Sequence, residues 1–345
     1  MTIILKTYSI TLLCTLLAVG AIAGDPTVVK KKTYSRSFTV GSNEKVSFNN
    51  KFGELKINTW DRNEVKVDVT ITAEANTDEK AQRILDHITI EDGKRDGGVY
   101  FKTKLAKNGP KWEKGEKQGF HIDYVAYIPA KNPLNAQNEF GPLVIGDHQG
   151  DSWLQCKFGT LTTGKLGNVK KLLVEFGKAN IGSINNGRVD IKFSKASIDH
   201  LNGNVDINLE FCDVAKLKVD NATKELDIKN KYSHLYLDVN TNFSAAFDIS
   251  TSFGNLSNKT NFAIKEEGQN DDNKRHGPKF NKRYTGKSGD GNTTMKIRSE
   301  YGQITLGHNL NINTDRNRNN NTNNRSGNDE RSERNDRKPR RTTAI

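Results

Sequence analysis

An aromatic residue recurs at nearly constant spacing through the middle of this 345-residue chain, often in the string Phe-Gly-x-Leu. The intervals between copies are 18, 18, 17, 18, 21 and 21 residues. A period in this range is typical of folds built from one small unit, whose copies must stack to bury their apolar side chains. The aromatic positions are Phe140, Phe158, Phe176, Phe193, Phe211, Tyr232 and Phe253, with an early copy at Phe52 and a late copy at Tyr301.

Each repeat alternates apolar and polar residues, as a half-buried β-strand does. Val189 and Ile191 form one such pair, and Val205 and Ile207 form the matching pair in the next copy. Corners rich in Asn and Gly separate the strands. At ~3.3 Å per residue, 18 residues make a turn with a perimeter of about 60 Å. The pattern therefore predicts an all-β fold, a single-stranded β-helix whose rungs, meaning its single turns, are 18–21 residues long.

We expect eight or more rungs, with the aromatic side chains stacked inside and the following glycine allowing the chain to turn. A leucine-rich repeat is excluded because no segment of helical period separates the strands. An ordinary β-sandwich stays open as the alternative fold. Cys156 and Cys212 would lie three rungs apart, about 14 Å at ~4.8 Å per rung, which is too far for a disulfide bond.

The two ends of the chain differ from the repeats. A signal peptide is predicted from Lys6, the apolar run that follows it, and the small residues Ala21 and Ala23. The sequence after residue 23 contains no apolar run that would predict a transmembrane segment. Leu12 and Leu13 before Cys14 do not fit a lipid-attachment site. We expect a signal peptide (1–23), then one domain (24–308) made of wider first rungs (24–130) with a helical excursion (77–88), regular repeats (131–264), a basic insertion (265–294) and a last rung (295–308), then a disordered Asn/Arg-rich tail (309–345).

Four aspartates recur in apolar-Asp-Ile strings within the repeats. Because their apolar neighbours point inward, the aspartates point outward, and stacked rungs would align them in an acidic column. Such a column suits a hard divalent cation, whereas a solvated face neutralised by Lys192 and Lys229 is the simpler interpretation. The weak metal-site candidates are Asp190, Asp206, Asp227 and Asp248. The histidines show no metal-ligand spacing, and we expect no cofactor.

Two segments interleave basic and aromatic residues in a chain whose formal net charge is +12. Such segments grip anionic glycan, lipopolysaccharide or extracellular DNA through charge and stacking, although a solvated, charged loop is the simpler interpretation. An exported chain does not favour an intracellular nucleic acid as partner. The ligand-binding candidates are Lys102, Lys104, Lys107, Lys111, Trp112 and Lys114 in the first segment, and Lys274, Arg275, Lys279, Lys282, Arg283 and Tyr284 in the second.

One segment of the chain resembles the secreted bacterial putative-adhesin domain family of unknown function, found in Bacteroidetes-type bacteria. The resemblance rests on the string from Phe52 to Ile57, the following Trp60 and Asp61, and the strand from Glu64 to Ile71. The resemblance covers roughly residues 35–307. It implies a β-helical, exported and cell-surface protein, and the family's motifs carry no catalytic residues. The basic insertion and the tail depart from the family pattern.

Taken together, these features predict an exported, non-enzymatic, adhesin-like protein of the envelope or cell surface, which binds an anionic polymer or another partner along a rigid β-helix. One alternative is a structural solenoid that assembles end to end, or a periplasmic scaffold. A second alternative is a polysaccharide lyase or hydrolase, although no Gly-x-Ser-x-Gly string recommends a serine hydrolase. The ligand and the oligomeric state stay open.

Overall fold

The computed structural model describes residues 27–107, 109, 117–268 and 280–313. Within them the chain is all-β, as predicted, with twenty-two strands joined in one hydrogen-bonded sheet and a single helix. No helix in these segments is long and apolar enough to cross a membrane. The elements are β1 (Val28–Thr39), β2 (Lys45–Lys51), β3 (Leu55–Trp60), β4 (Glu64–Ala75), α1 (Asp78–Asp86), β5 (Ile88–Arg95), β6 (Gly98–Leu105), β7 (Gly119–Pro129), β8 (Leu134–Glu139), β9 (Leu143–Ile145), β10 (His148–Lys157), β11 (Thr160–Glu175), β12 (Lys178–Ile184), β13 (Gly187–Lys192), β14 (Lys195–Glu210), β15 (Ala215–Lys231), β16 (His234–Val239), β17 (Ala245–Ser252), β18 (Asn255–Lys259), β19 (Ala263–Glu266), β20 (Asn281–Ser288), β21 (Thr293–Glu300) and β22 (Gln303–Gly307).

The copies of the repeat pair with one another as parallel strands, and equivalent residues lie side by side. Val174 in β11 pairs with Ile191 in β13, which pairs with Leu209 in β14. These three side chains are fully buried, as are the other apolar residues that alternate with them. The alternation predicted from the sequence is confirmed, because each parallel pairing places the apolar residues of both copies on the same face.

The spatial order of the copies differs from their order in the sequence. β15 pairs in parallel with β21, and β21 pairs in parallel with β17, so the Tyr301 copy lies between the Tyr232 and Phe253 copies. β20 then covers the other edge of β17 in antiparallel orientation. The copy predicted as the last rung is therefore an interior one. Nothing in local alternation encodes this order, since every copy offers the same parallel edge.

The first hundred described residues combine parallel and antiparallel pairing. β4 runs antiparallel to both β1 and β7, and β5 and β6 form an antiparallel pair. β2 pairs in parallel with β6 and β8, and β3 with β7 and β9, which joins this region to the repeats. The interpretation of residues 24–130 as wider rungs did not include these antiparallel strands.

Helix α1 lies within the predicted range 77–88. Thr77 caps it by accepting a hydrogen bond from the Lys80 amide, 3.3 Å away. Its buried face, Ala81, Ile84 and Leu85, packs toward β1 and β4. The helix thus covers apolar residues of β1 and β4.

Both cysteines of the repeat region are free and buried, which agrees with the predicted absence of a disulfide bond. Burial raises the pKa of each thiol to about 11, so both stay protonated and unreactive at neutral pH. Several predicted segments lie outside the described residues. They are the signal peptide (1–23), most of the tail (314–345), and residues 110–116 and 269–279.

Candidate functional site

The recurring aromatic residues lie on the outside of the molecule, which corrects the prediction that they stack inside. Eight of them are between 46% and 52% exposed. Phe52, at one end, is half-buried under Phe120. We call the nine residues the aromatic ladder, in spatial order Phe52, Phe140, Phe158, Phe176, Phe193, Phe211, Tyr232, Tyr301 and Phe253.

A backbone turn at each aromatic residue explains the outward orientation. All nine adopt the left-handed conformation, with φ between 49° and 62°. In most copies the buried positions lie two residues before the aromatic and three residues after it, as Val174 and Ala179 do around Phe176, whereas in the Phe211 copy Ala215 lies four residues after it. At Phe176 these positions are an odd number of residues apart, so strand alternation reverses at the corner. Alternation within either strand therefore cannot predict where the ring points.

Ring stacking and backbone hydrogen bonds offset the strain of this conformation. A non-glycine residue in the left-handed region costs about 1–2 kcal/mol. Neighbouring rings lie 4.8–5.0 Å apart, centroid to centroid, with planes within 7° of parallel. Each such pair stabilises by roughly 0.5–1.5 kcal/mol. The Phe158 amide also donates to the Glu175 carbonyl, 3.0 Å away, and the other ladder residues donate to their neighbouring copies in the same manner, except Phe253, whose amide donates to the Phe280 carbonyl.

The glycine after the aromatic is required by the close approach of neighbouring copies. A Cβ at Gly159 would lie 2.0 Å from the Gly141 carbonyl oxygen, and one at Gly177 would lie 1.8 Å from the Gly159 carbonyl oxygen. Ser194 and Ser233 occupy the equivalent position in later copies, where each hydroxyl donates to a carbonyl two residues earlier, at 2.6 and 2.7 Å. This position therefore accepts only glycine or a small side chain that bonds back to its own corner.

A column of charged residues runs beside the ladder, at the position before each aromatic. Its signs alternate strictly from copy to copy. We call it the charge column, in spatial order Lys51, Glu139, Lys157, Glu175, Lys192, Glu210, Lys231 and Glu300, with Ser252 in the ninth copy. Ion pairs join its members two by two, at 2.9, 2.8, 3.0 and 3.1 Å.

The electrostatics of the charge column follow from this alternation. The hydrogen bond from Lys192 to Glu210 raises the pKa of the lysine and lowers the pKa of the glutamate. Glu175 adds to the first effect and Lys231 to the second, because each charge lies between two charges of opposite sign. With four lysines and four glutamates, the column has no net formal charge.

The two ends of the ladder are different. Phe120 meets Phe52 edge to face, at 5.3 Å. Phe280 stacks on Phe253 at 4.9 Å with a tilt of 28°, and it is 54% exposed. A shallow depression beside this second end is lined by Phe253, Phe280, Tyr301, Lys282 and His234, together with nearby backbone.

The four aspartates predicted as metal candidates do not form one acidic column. Asp206 lies between Arg188 and Asp227, and Lys296 lies between Asp227 and Asp248. Asp190 is in register with Asn208, two positions along the strand, and not with Asp206. Arg298 binds Asp227 at 2.6 Å and Arg283 binds Asp248 at 3.0 Å. The described residues contain no group of three or more His, Cys, Asp or Glu side chains that would hold a metal ion.

The predicted basic candidates are scattered, and several are paired with acids. Lys104 lies 3.1 Å from Glu91, Lys282 lies 3.7 Å from Glu266, and Arg283 bonds to Asp248. Lys102 and Lys107 are exposed in or near β6. Tyr284 is only 8% exposed and belongs to the core, so it offers no ring to a ligand in solution. Lys111, Trp112, Lys114, Lys274, Arg275 and Lys279 lie outside the described residues.

The aromatic ladder is therefore the surface feature that sequence reasoning missed, although the same residues defined the repeat. The nine rings span about 40 Å in eight steps of 4.8–5.0 Å. Neighbouring rings cover each other's faces, so the exposed parts are the ring edges. A continuous exposed apolar strip of this kind is often an interaction surface in soluble proteins.

Comparisons with known proteins identify no family for this chain. No protein-family profile matches it. No curated protein matches it in sequence. Similar solved structures include a "putative cell adhesion protein" from Clostridium sporogenes, at 14% identity over 81% of this chain and 100% of that chain, with a TM-score of 0.22. Two from Parabacteroides distasonis are a "putative adhesin" (12% identity, 80% and 97% covered, TM-score 0.32) and a "putative lipid binding protein" (10%, 79% and 96%, TM-score 0.28). At these TM-scores the likeness decides neither the fold nor the function of this chain.

Proposed function

We propose that this chain is an exported, non-enzymatic, adhesin-like protein of the cell envelope or surface, which binds a macromolecular partner along the aromatic ladder. The observation that carries this proposal is the exposed strip of ring edges, eight of whose nine residues are about half exposed. The largest contiguous apolar patch on a soluble protein is often its functional surface.

The proposed architecture is a β-helix in which the parallel copies from Phe140 to Tyr232 wind as successive rungs, while the Tyr301 copy enters the stack before the Phe253 copy. The continuous parallel register of the strand segments that precede the ladder aromatics supports it, and so does the common corner at each aromatic residue. A β-helix presents one column of side chains along its whole length, since every rung places the same position at the same corner. The ladder then forms a rigid linear binding surface, and adhesion arises from many weak contacts that repeat along it.

The paired state of the basic residues favours the ladder over an electrostatic site. Lys104, Lys282 and Arg283 each lie within 3.7 Å of an acidic side chain. Their attraction for an anionic polymer is reduced accordingly, although such a polymer remains the expected class of second ligand. An interaction of that kind weakens as salt rises, whereas apolar contact along the ladder does not.

An adhesion assay on beads coated with the whole chain tests the proposal. The surfaces carry lipopolysaccharide, an anionic glycan, a neutral glycan, DNA or the chain itself, at low and at physiological salt. The ladder variant combines Phe158→Tyr, Phe176→Tyr and Phe193→Tyr, which keep the stack but place a hydroxyl at the exposed edge. Tyr232 already occupies this column at 50% exposure, so the fold accepts the change.

We expect the ladder variant to lose at least about tenfold in adhesion at both salt concentrations, because burying an unpaired hydroxyl is costly. The matched control, Lys31→Glu with Lys32→Glu, changes the charge of two exposed residues on β1 and should leave adhesion within about threefold. Absence of adhesion to every surface would overturn the proposed function. Release of reducing or unsaturated sugar ends from a glycan would support the lyase or hydrolase alternative instead.

A further inference from the structure

The alternating charge column is self-complementary, and this property points to one kind of partner. The column has eight charged positions, beginning with Lys51 at one end and closing with Glu300 at the other. When two such columns are placed face to face in opposite directions, every lysine of one column meets a glutamate of the other. Only a partner with the same series in the opposite direction fits it throughout.

We propose that the ladder binds a second copy of this chain in antiparallel orientation, about a two-fold axis between the Phe176 and Phe193 copies. This inference rests on the proposed function and names its partner. In this pairing the two ladders face each other along their length, as an isologous contact requires. Glu175 of one copy faces Lys192 of the second, and Lys51 faces Glu300 at the ends.

The charge column also sets the register of the pair. A shift by one rung, about 4.9 Å, brings like charges together wherever two charged residues of the columns meet, for example glutamate against glutamate at the centre. Like charges facing each other in an interface cost several kcal/mol in total. A shift by two rungs restores opposite charges but gives at most six such contacts, because Ser252 then replaces a charged residue or the ends of the columns lie uncovered. The register centred between the Phe176 and Phe193 copies gives eight, so the charges and not the buried ring edge select it.

The contact is expected to be weak and reversible. A strip about 40 Å long and about 10 Å wide buries roughly 400 Å² on each partner, below the ~800 Å² of a standard interface. Weak pairs of this kind suit adhesion, because many copies on two surfaces add up through multivalency.

The flank on the other side of the ladder opposes the pairing at its centre. Lys178 and Lys195, each two residues after a ladder aromatic, are neighbours in the stack. In the antiparallel pair each faces the other lysine of the second copy. We therefore expect Lys178→Glu to strengthen the association, because it turns two repulsive contacts into attractive ones.

A charge-swap experiment on the whole chain tests this pairing by sedimentation velocity between about 1 and 500 µM, the range in which a weak contact is measurable. Glu175→Lys alone and Lys192→Glu alone each place like charges at the centre and should weaken dimerisation by about tenfold or more. An equimolar mixture of the two variants restores both contacts and should dimerise within about threefold of the wild-type affinity. The chain carrying both substitutions should also dimerise, since its centre is again complementary.

The outcomes separate this inference from the proposed function. Recovery in the mixture supports the antiparallel pair, whereas a wild type that stays monomeric at 500 µM overturns it, as does a mixture that stays as weak as its components. If the wild type stays monomeric while the Tyr ladder variant loses adhesion to a glycan or lipopolysaccharide surface, the proposed function stands and only the second copy is wrong. Circular dichroism of each variant verifies that the fold is retained.

Discussion

At the scale of single residues, His148 is the group whose burial has the clearest consequence. Its side chain is 1% exposed, and neither ring nitrogen has a hydrogen-bond partner of good geometry among the described residues. Burial lowers the pKa of His148 to about 4, against the opposing effect of backbone groups at Asp151 and Asn132. Since the unfolded chain binds this proton near pH 6.5, the unfolded state holds more protons between pH 6.5 and 4.

We therefore predict that His148 makes the fold sensitive to acid in that window. The stability contributed by the neutral imidazole is present above pH 6.5 and decreases as pH falls toward 4, with about 2 kcal/mol lost between pH 7 and pH 5. Urea unfolding of the wild type and of His148→Leu at the two pH values measures the effect. The leucine variant should lose about 2 kcal/mol less than the wild type over this interval. Equal losses in both proteins would contradict the prediction.

A second prediction at this scale concerns the glycine at the corner. Gly159→Ala would place a Cβ 2.0 Å from the Gly141 carbonyl oxygen, so two neighbouring copies must separate. We expect a loss of roughly 2–4 kcal/mol in the free energy of unfolding. Gly146→Ala is the matched control, because its nearest neighbour is 3.9 Å away and alanine there also reduces the freedom of the unfolded chain. Similar destabilisation by both changes would contradict the steric explanation.

At the scale of elements, the aromatic ladder combines a strained corner with a stabilising stack. Phe176 has one ring at 5.0 Å on one side and another at 4.9 Å on the other. We predict that Phe176→Ala destabilises by about 1–3 kcal/mol, since it removes two stacked contacts. Phe176→Gly should be no less stable than Phe176→Ala, because glycine adopts positive φ without strain. Chemical denaturation of the three proteins measures this order, and an alanine variant clearly more stable than the glycine variant would count against corner strain.

The same element shows how far sequence reasoning extends. Alternation correctly placed Val189, Ile191 and their equivalents in the core, because side-chain direction within one strand has a fixed period of two. The prediction that the aromatic rings stack inside was wrong, because the chain turns at each of them in the left-handed conformation. The turn at Phe176 resets the alternation, and only the odd spacing between Val174 and Ala179 signals it.

The aspartate candidates illustrate the limit set by register. Each apolar-Asp-Ile string was read correctly as a strand with its aspartate outside the core. Which residue lies beside it depends on how the strands pair, and a two-residue offset puts Asp190 next to Asn208. Arg188 and Lys296 share the register of the other three. The sequence therefore predicted that basic residues neutralise the aspartates on this face. The structure was needed to show which basic residue lies beside which aspartate.

At the scale of the whole molecule, β21 is late in the chain but interior in the stack. It pairs with β15 on one side and β17 on the other, and Met295 and Ile297 are fully buried between them. We predict that amides of Thr293–Glu300 exchange with deuterium as slowly as those of β14, near the global unfolding rate, because β21 opens only when both neighbours separate. A chain that ends after residue 292 should lose cooperative unfolding, whereas one that ends after residue 313 should keep the full stability. Fast exchange in β21 would show that the Phe253 copy can leave the stack independently, and the ladder would then not act as one continuous binding surface.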